Sequence, residues 1–277
     1  MDIVTFYVGQ GDMAVVRHNG EAIVVDSHFP DCLDKGRDRI EADLSRVLVN
    51  HRVAGLVLTG FDSDHCHPAG VEMILSNHKP DWVMYPKYYK ETECATEVFK
   101  IIDRHVRKRF DTLQPLRRVS VRLDRFDHRI LDDLCGQFDF ELFSPHMEDC
   151  DNSNNSSIVL RVTGAGTNGF SFLVTGDTEN GRWERINQIF GSYLKSDVLS
   201  ASHHGSKTGA HPGTILLVSP NTVLISCGVD NQYEHPDPQA VQAYSAIAQH
   251  VFATNVEGGV SLFTRRNGGD FETLLAR

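Results

Sequence analysis

Two carboxylates and two imidazoles fall within six residues of the chain, at Asp62, Asp64, His65 and His67. They follow the apolar run 54–58, which is typical of a buried β-strand. Oxygen and nitrogen donors on short side chains, held in a loop at a strand end, suit a divalent metal ion. Without an ion, Asp62 and Asp64 would repel each other for no gain. The segment predicts a metal site; the competing interpretation is a polar turn in which an aspartate caps the next helix.

Similar side chains stand at three further strand ends. Asp26, Asp177 and the pair His203 and His204 each follow an apolar stretch of strand type. Ligands gathered from the ends of different strands form a site at one rim of a sheet scaffold. The presence of Asp or His at each of several strand ends is stronger evidence for a shared site than any single motif is.

The elements that must position these residues alternate between strands and helices. Asn19-Gly20 lies between two apolar runs, which is a strong hairpin signal, and a second hairpin is predicted between 158–162 and 170–177. Apolar residues at helical spacing predict helices over 36–53, 90–109, 183–193 and 238–248. The stretch 113–139 gives no clear pattern. With no low-complexity linker and no convincing repeat, residues 1–277 are predicted to form a single domain.

The composition of the 277 residues is ordinary for a globular protein, with 40% apolar and 23% charged residues. The first residues carry an acid where a signal peptide would carry basic residues. No apolar run approaches the roughly 18–20 residues that a membrane span needs. These features exclude an association with membranes and predict a cytoplasmic protein.

The net charge of −10 argues against broad, sequence-independent binding of nucleic acid, which normally rests on a basic surface. It leaves room for a local phosphate site, because bound metal ions supply positive charge where it is needed. Basic residues do concentrate between Lys100 and Arg129. That stretch is interpreted as a solvated helix face, with a phosphate-binding face as the alternative.

Taken together, the motifs resemble the metallo-β-lactamase superfamily and, within it, the hydrolase domain of ComEC-type DNA-uptake proteins. The resemblance covers nearly the whole chain and depends on the order and spacing of the motifs rather than on any one of them. They are Val8-Gly9-Gln10-Gly11-Asp12, Asp62-Ser63-Asp64-His65, Asn154-Asn155-Ser156, Thr175-Gly176-Asp177, and the segments 194–199, 203–208 and 233–236.

The resemblance implies an α/β protein with a four-layer αββα sandwich, the metallo-β-lactamase fold. It also implies a site for one or two metal ions at the rim, phosphodiester hydrolysis, and DNA as the substrate. A role in DNA uptake is not implied for this chain, because the uptake proteins carry membrane segments and no such segment is found in this sequence. Stand-alone hydrolases of this type resemble effectors of bacterial antiviral defence, which need a regulatory protein partner to restrain them. The oligomeric state stays open.

The metal ligands implied by the resemblance fall into two positions. One keeps Asp62 but has Gly60 where the family's loop usually has histidine. The other keeps Asp64, His65 and one histidine of the pair at 203–204, with Asp177 able to bridge. His203 is preferred over His204 because it comes directly off the strand. Such an oxygen-rich set suits Mn²⁺ or Mg²⁺ at least as well as Zn²⁺.

Three other side chains stand near the altered position. His28 and His67 are candidates to replace the lost imidazole, although a solvated or supporting histidine is the favoured interpretation of each. Asn154, or its neighbour Asn155, stands near where many relatives place another histidine, so Asn154 is expected beside the ligands.

The implied chemistry is hydrolysis by water activated on the ion, with Asp64, Asp177 and Lys207 as the catalytic residues. A bound ion lowers the pKa of water so that hydroxide forms near neutral pH. Asp26 is expected to orient a ligand. Ser206, Lys207 and His235 are expected to hold phosphate oxygens. The competing interpretation of these last three residues is ordinary loop capping.

Three functions compete on this sequence. The leading hypothesis is a DNA nuclease. The second keeps the hydrolase and changes the substrate to a small phosphodiester or ester. The third, motivated by Gly60, is a degenerate, metal-poor domain that acts as a regulatory module.

Overall fold

The computed structural model describes residues 1–29, 34–87, 91–149 and 152–276. The strands within these ranges are β1 (Asp2–Thr5), β2 (Ala14–His18), β3 (Glu21–Val25), β4 (Arg52–Val57), β5 (Trp82–Pro86), β6 (Arg117–Val121), β7 (Phe138–Ser144), β8 (Val159–Gly164), β9 (Ser171–Val174), β10 (Val198–Ser200), β11 (Thr222–Ile225), β12 (His250–Ala253), β13 (Ser261–Asn267) and β14 (Asp270–Ala276). The α-helices are α1 (Asp34–Val47), α2 (Pro68–Met73), α3 (Glu93–Arg109), α4 (Arg129–Asp132), α5 (Asn180–Phe190), α6 (Pro212–Val218) and α7 (Pro238–Ser245).

The first sheet has eight strands in the order β14-β13-β1-β2-β3-β4-β5-β6. Strands β3 to β6 run parallel to one another, and the remaining pairs are antiparallel. The hairpin predicted at Asn19-Gly20 is confirmed: β2 pairs with β3, and both turn residues have positive φ (47° and 83°). Asparagine and glycine tolerate this left-handed conformation, which matches the twist of the strands.

The second sheet has six strands in the order β12-β11-β10-β9-β8-β7. Strands β9 to β12 are parallel, whereas β7, β8 and β9 are antiparallel. The predicted second hairpin is the antiparallel pair β8–β9. Parallel strands end at the same rim of a sheet, so β3 and β4 in the first sheet and β9 and β10 in the second each deliver a polar loop there.

Three apolar clusters fill the space between four layers. One lies between the first sheet and α1 to α3, one between the two sheets, and one between the second sheet and α5 to α7. In the middle layer Trp82 packs edge-on against Phe140 of the opposite sheet, with ring centroids 5.8 Å apart, and its indole N–H donates to the Leu134 carbonyl (2.9 Å). The predicted αββα sandwich is confirmed.

Some helices begin or end at other residues than the sequence predicted, because neighbouring residues pair in a sheet or cap the helix. The helix predicted over 36–53 ends at Val47, because Arg52 is already paired in β4 beside Glu21 of β3. The helix predicted over 90–109 begins at Glu93, where the Thr92 hydroxyl accepts from the Ala95 N–H; Lys90 lies outside the described residues. Among the described helices, none combines the length and the apolar character needed to cross a membrane.

Candidate metal centre

The rim where the two sheets meet collects the loops that follow β3, β4, β9 and β10. The β1–β2 connection joins them, because the Asp12 N–H donates to the Asp64 carbonyl (2.8 Å). Asp12, His65, Asp177 and His204 form one cluster in which ligand atoms, one from each residue, all lie within 4.8 Å of one another. Three of the four side chains are buried, and Asp12 is partly exposed.

Two imidazoles form the centre of this cluster. The rings of His65 and His204 are stacked, with centroids 5.2 Å apart and planes 28° from parallel. Both Nδ1 atoms face Asp12, at 3.6 Å for His65 and 3.8 Å for His204. Both Nε2 atoms face Asp177 Oδ1, at 2.9 Å and 3.7 Å, and His204 Nε2 is also 3.4 Å from Asp64 Oδ2. The Nε2 edges and two carboxylates therefore surround one position.

Hydrogen bonds fix which nitrogen of each ring faces that position. His65 Nδ1 donates to Asp26 Oδ2 (3.0 Å), and Asp26 is held in turn by the backbone N–H and hydroxyl of Thr59 (both 2.7 Å). His204 Nδ1 donates to the Ser226 carbonyl (3.1 Å), which can only accept. In its neutral form each ring therefore carries its hydrogen on Nδ1 and leaves Nε2 for a ligand, as metal-binding histidines commonly do.

Opposite charges in the cluster outweigh the cost of burial. Burial alone would lower the pKa of both imidazoles, yet the carboxylates of Asp177 and Asp26 raise the pKa of His65 well above its usual value. Asp177 and Asp12 raise that of His204 to about 9 against the same burial. Burial would raise the pKa of Asp177, but the two imidazoles hold it below its usual range. Asp12 is the exception, because there burial outweighs the attraction of His204 and His65 and raises the pKa to about 6.

The donor set fits a divalent cation. His65 Nε2, His204 Nε2 and Asp177 Oδ1 are buried, and the contacts found for them among the described residues are ion pairs with one another and with Asp64. No other described group donates to or accepts from them, and buried polar atoms in this state favour the binding of a further partner such as an ion. Two imidazole nitrogens and two carboxylates are a ligand set that Zn²⁺ or Mn²⁺ accepts.

The backbone after β10 decides which histidine of the pair joins the cluster. His203 and His204 both have left-handed φ values (53° and 54°), followed by Gly205 at 79°. This turn sends the His204 ring into the cluster and the His203 ring outward, where its Nδ1 lies 3.8 Å from Glu179 Oε1. The geometry therefore favours His204 over His203, which the sequence had preferred, because the consecutive left-handed residues point the second histidine of the pair, and not the first, into the cluster.

An open cleft of about 310 Å³ lies over the cluster. Its lining includes several of the residues predicted for the site: Asp62, Asp64, Asn154, Asp177, His203, His204 and His235, together with Gln10, Ser63 and Tyr233. Asn154 donates from Nδ2 to Glu179 Oε1 (3.3 Å). Asp62 accepts at its carbonyl from the N–H groups of His65 and Cys66, which shapes the loop.

Gly60 faces free space in this region. A Cβ placed there would meet only Ser157 Oγ, at 4.0 Å, among the described residues. Neither proposed substitute fills that space. His28 Nδ1 donates to the Ser63 carbonyl (2.9 Å), and His67 Nδ1 accepts from the Ala69 N–H at the start of α2. Both histidines therefore support the backbone of the 62–67 loop.

The three predicted phosphate-binding residues are placed differently from one another. His235 lines the cleft, and its buried Nδ1 has no hydrogen-bond partner. Ser206 is buried, and its hydroxyl bonds with the Thr208 hydroxyl (3.0 Å) and accepts from the Thr208 N–H. Lys207 is exposed and is not part of the cleft lining found among the described residues. The roles of all three stay predictions.

Acidic neighbours already neutralise much of the basic stretch between Lys100 and Arg129. Its ion pairs are Arg104–Glu72, Arg118–Asp103, Arg122–Asp124 and Arg129–Asp127, and Arg109 is buried, with hydrogen bonds to the carbonyls of Pro80 and Gln114. These contacts favour the solvated-face interpretation over a phosphate-binding one.

Solved structures with similar architecture define the fold. The metallo hydrolase Igni18 from Ignicoccus hospitalis matches 96% of this chain and all of its own, with a TM-score of 0.57 and 15% identity. YhfI from Bacillus subtilis, a metallo-β-lactamase fold protein, matches 94% of this chain and 99% of its own, with a TM-score of 0.51 and 9% identity. The chain has the metallo-β-lactamase fold.

Sequence similarity narrows the resemblance within that fold. The chain is 31% identical over 219 residues to ComE operon protein 3 of Bacillus subtilis, which is 78% of this chain and 25% of that protein. It is 32% identical over 130 residues to competence protein ComA of Neisseria gonorrhoeae, 47% of this chain and 18% of that protein. The chain thus matches a quarter or less of these relatives' lengths. The predicted resemblance to competence proteins is confirmed, and no protein-family model matches the sequence.

Proposed function

We propose that this chain is a metal-dependent phosphodiester hydrolase that cuts DNA. The observation that carries the proposal is the convergence of His65 Nε2, His204 Nε2 and Asp177 Oδ1, buried and without a hydrogen bond to any described group outside the cluster and Asp64, beneath an open cleft. The similarity to competence proteins, and to recombination protein 2 of Haemophilus influenzae (34% identity over 122 residues), supports DNA as the substrate.

The proposed role of each residue follows from its position in the site. His65, His204 and Asp177 would hold the ion together with Asp64, which lies 3.4 Å from His204 Nε2. Asp12, the fourth member of the cluster, faces the Nδ1 atoms of both rings, and with Asp26 and the Ser226 carbonyl it would keep the two imidazoles in the ligating orientation. A divalent ion bound there would lower the pKa of water and would stabilise negative charge on the phosphoryl oxygens. His235 and Asn154, which line the cleft, are placed to contact a substrate there.

The proposal is tested by incubating purified protein with linear and single-stranded DNA and Mn²⁺, Zn²⁺ or Mg²⁺ in turn. We expect cleavage that depends on the ion and that falls at least about 100-fold in Asp64→Ala and Asp177→Ala, since the ion contributes several kcal/mol to such reactions. Asp139→Ala, on the exposed face of β7, is the matched surface control and retains activity. Equal cleavage by the wild type and Asp177→Ala refutes the proposal.

A small phosphodiester or ester is the second candidate substrate. The cleft volume of about 310 Å³ favours it, because this is the lower end of the range for small-ligand sites. A panel of cyclic nucleotides and small esters, offered to the metal-loaded protein, separates this candidate from a nuclease.

If the chain is instead a metal-poor regulatory module, metal analysis of the purified protein is expected to find no tightly bound ion. A role in antiviral defence under a restraining partner stays a prediction.

A further inference from the structure

Tyr233 stands at the mouth of the cleft with 57% of its surface exposed. One face of its ring is covered by His235, with centroids 5.7 Å apart and planes 26° from parallel. The high exposure leaves the other face open. Single exposed apolar side chains are common on protein surfaces. Tyr233 differs in that it lines the cleft while its ring is stacked on that of His235.

Tyr233 is the outermost member of a series of stacked rings. His235 stacks on His204 (6.4 Å, 27°), and His204 stacks on His65 (5.2 Å, 28°). The rings therefore lead from the surface to the metal cluster with nearly the same tilt at each step. A planar group added on the open face of Tyr233 would extend the series at the edge of the cleft.

The loop that carries Tyr233 is rigidly braced. The side chain of Asn231 accepts at Oδ1 from the N–H groups of Tyr233 (3.1 Å) and His235 (3.0 Å), and it donates to the carbonyls of Gly228 and His235. The Asp237 N–H donates to the Gly205 carbonyl, which ties the loop to the turn after β10. A preformed platform loses little conformational entropy when a ligand stacks on it.

The acidic charge around the cleft favours a contribution to binding that does not depend on electrostatic attraction, such as ring stacking. Asp62, Asp64 and Asp177 line the cleft, and the chain carries a net charge of −10. Away from the ion, a polyanionic strand therefore gains little from electrostatic attraction. Base–aromatic stacking needs no charge and is worth about 5- to 100-fold in affinity per base.

We propose that Tyr233 is a stacking platform for an unpaired nucleobase next to the scissile phosphodiester, so that the substrate is a single-stranded nucleic acid. This inference rests on the proposed hydrolase function and names its substrate class. In a duplex the bases stack on one another and cannot reach the open face of Tyr233, whereas an unpaired base can.

The test compares two labelled strands of equal length and charge, both with phosphorothioate linkages that resist cleavage. One is an oligothymidylate, and the other has an abasic sugar at every position. Fluorescence anisotropy with metal-loaded protein gives both affinities. We expect the wild type to prefer the oligothymidylate by about 5- to 100-fold, and Tyr233→Ala to bind the two strands within about twofold of each other. Tyr233→Phe and Tyr233→Trp keep the preference, because the ring face remains.

Tyr193 provides the matched control, since it is 72% exposed and lies outside the cleft lining found among the described residues. Tyr193→Ala keeps the preference for bases. Equal binding of both strands by the wild type, an unchanged preference in Tyr233→Ala, or tighter binding of a duplex or a cyclic mononucleotide through Tyr233 overturns the inference. Metal-dependent cleavage of DNA by a protein that binds both strands equally would leave the proposed nuclease standing and remove only this platform, whereas absence of DNA cleavage with every ion tested refutes the nuclease itself.

Discussion

The imidazoles of His65 and His204 each have two edges in different surroundings. Their Nδ1 edges are held by Asp26, Asp12 and the Ser226 carbonyl, and their Nε2 edges face the carboxylates of Asp177 and Asp64. A ring fixed through Nδ1, with Nε2 turned toward carboxylates, is the arrangement that metal-binding histidines commonly have.

Metal content separates the two neighbouring histidines. We expect the wild type to hold about one tightly bound ion per chain, because one cluster of ligands is found among the described residues. His204→Ala removes a buried ligand atom and is expected to weaken binding by about 10- to 100-fold or more. His203→Ala leaves the cluster intact and keeps the ion. Mass spectrometry of metal content after dialysis measures both.

The opposite result, loss of the ion in His203→Ala alone, would restore the ligand assignment made from the sequence. Circular dichroism of both variants separates loss of a ligand from loss of the fold, since His204 is buried and His203 is partly exposed.

The structure brings Asp64, His65 and Asp177 close together at the rim, as expected from their positions after buried strands, and their roles as ligands stay predictions. Asp12 lay in a motif that received no role, because nothing in the local sequence places the β1–β2 connection against the 62–67 loop. The choice of His204 depends on two left-handed φ values, which histidine adopts uncommonly and which no spacing rule reveals.

At the scale of the elements, strand β4 shows how the loop with Asp62 and His65 is positioned. Gly55 lies in β4 under the indole of Trp82 in β5, so closely that an added Cβ would come 2.2 Å from the ring. Trp82 is 2% exposed and packs across the two sheets. The ring therefore has no room to move, and the contact sets how tightly β4 and β5 approach the second sheet.

Gly55→Ala is expected to lower the free energy of unfolding by about 3 kcal/mol, at the upper end of the range for overpacked cores. Gly136→Ala is the control, because a Cβ there would have no described heavy atom within 4 Å and should change stability by less than about 0.5 kcal/mol. Chemical denaturation of both variants gives the two values. Similar stabilities would mean that the Trp82 ring adapts.

The sequence predicted helices and strands well where a few neighbouring residues are enough to set the conformation. The Asn19-Gly20 turn sets its own hairpin, so β2 and β3 were predictable. The stretch 113–139 had no such signal. It holds β6, the short helix α4 and the start of β7, and the Leu134 carbonyl there accepts from Trp82. Its conformation is set by tertiary contacts that a local pattern does not contain.

At the scale of the whole molecule, the candidate ligands are divided between the two sheets. His65 and Asp64 follow β4 of the first sheet, whereas Asp177 and His204 follow β9 and β10 of the second. A bound ion would therefore link the sheets directly. Because it binds the folded chain alone, its binding energy adds to the stability of the fold.

Removal of the ion is expected to lower the melting temperature. An ion at about 100 times its dissociation constant adds about 2.7 kcal/mol, which corresponds to a shift of roughly 5–10 °C in a chain of this size. Differential scanning calorimetry before and after treatment with a chelator measures the shift. His204→Ala should show little further change on chelation, and a full shift in that variant would place the ion elsewhere.

The division of ligands between the sheets also has a consequence during synthesis. Asp177 and His204 leave the ribosome long after Asp12 and His65, since more than a third of the chain separates His65 from Asp177. A nascent chain thus carries two half-sites, neither of which can hold an ion with the full set of donors. A complete set of donors can therefore form only late, once the two halves of the polypeptide have met.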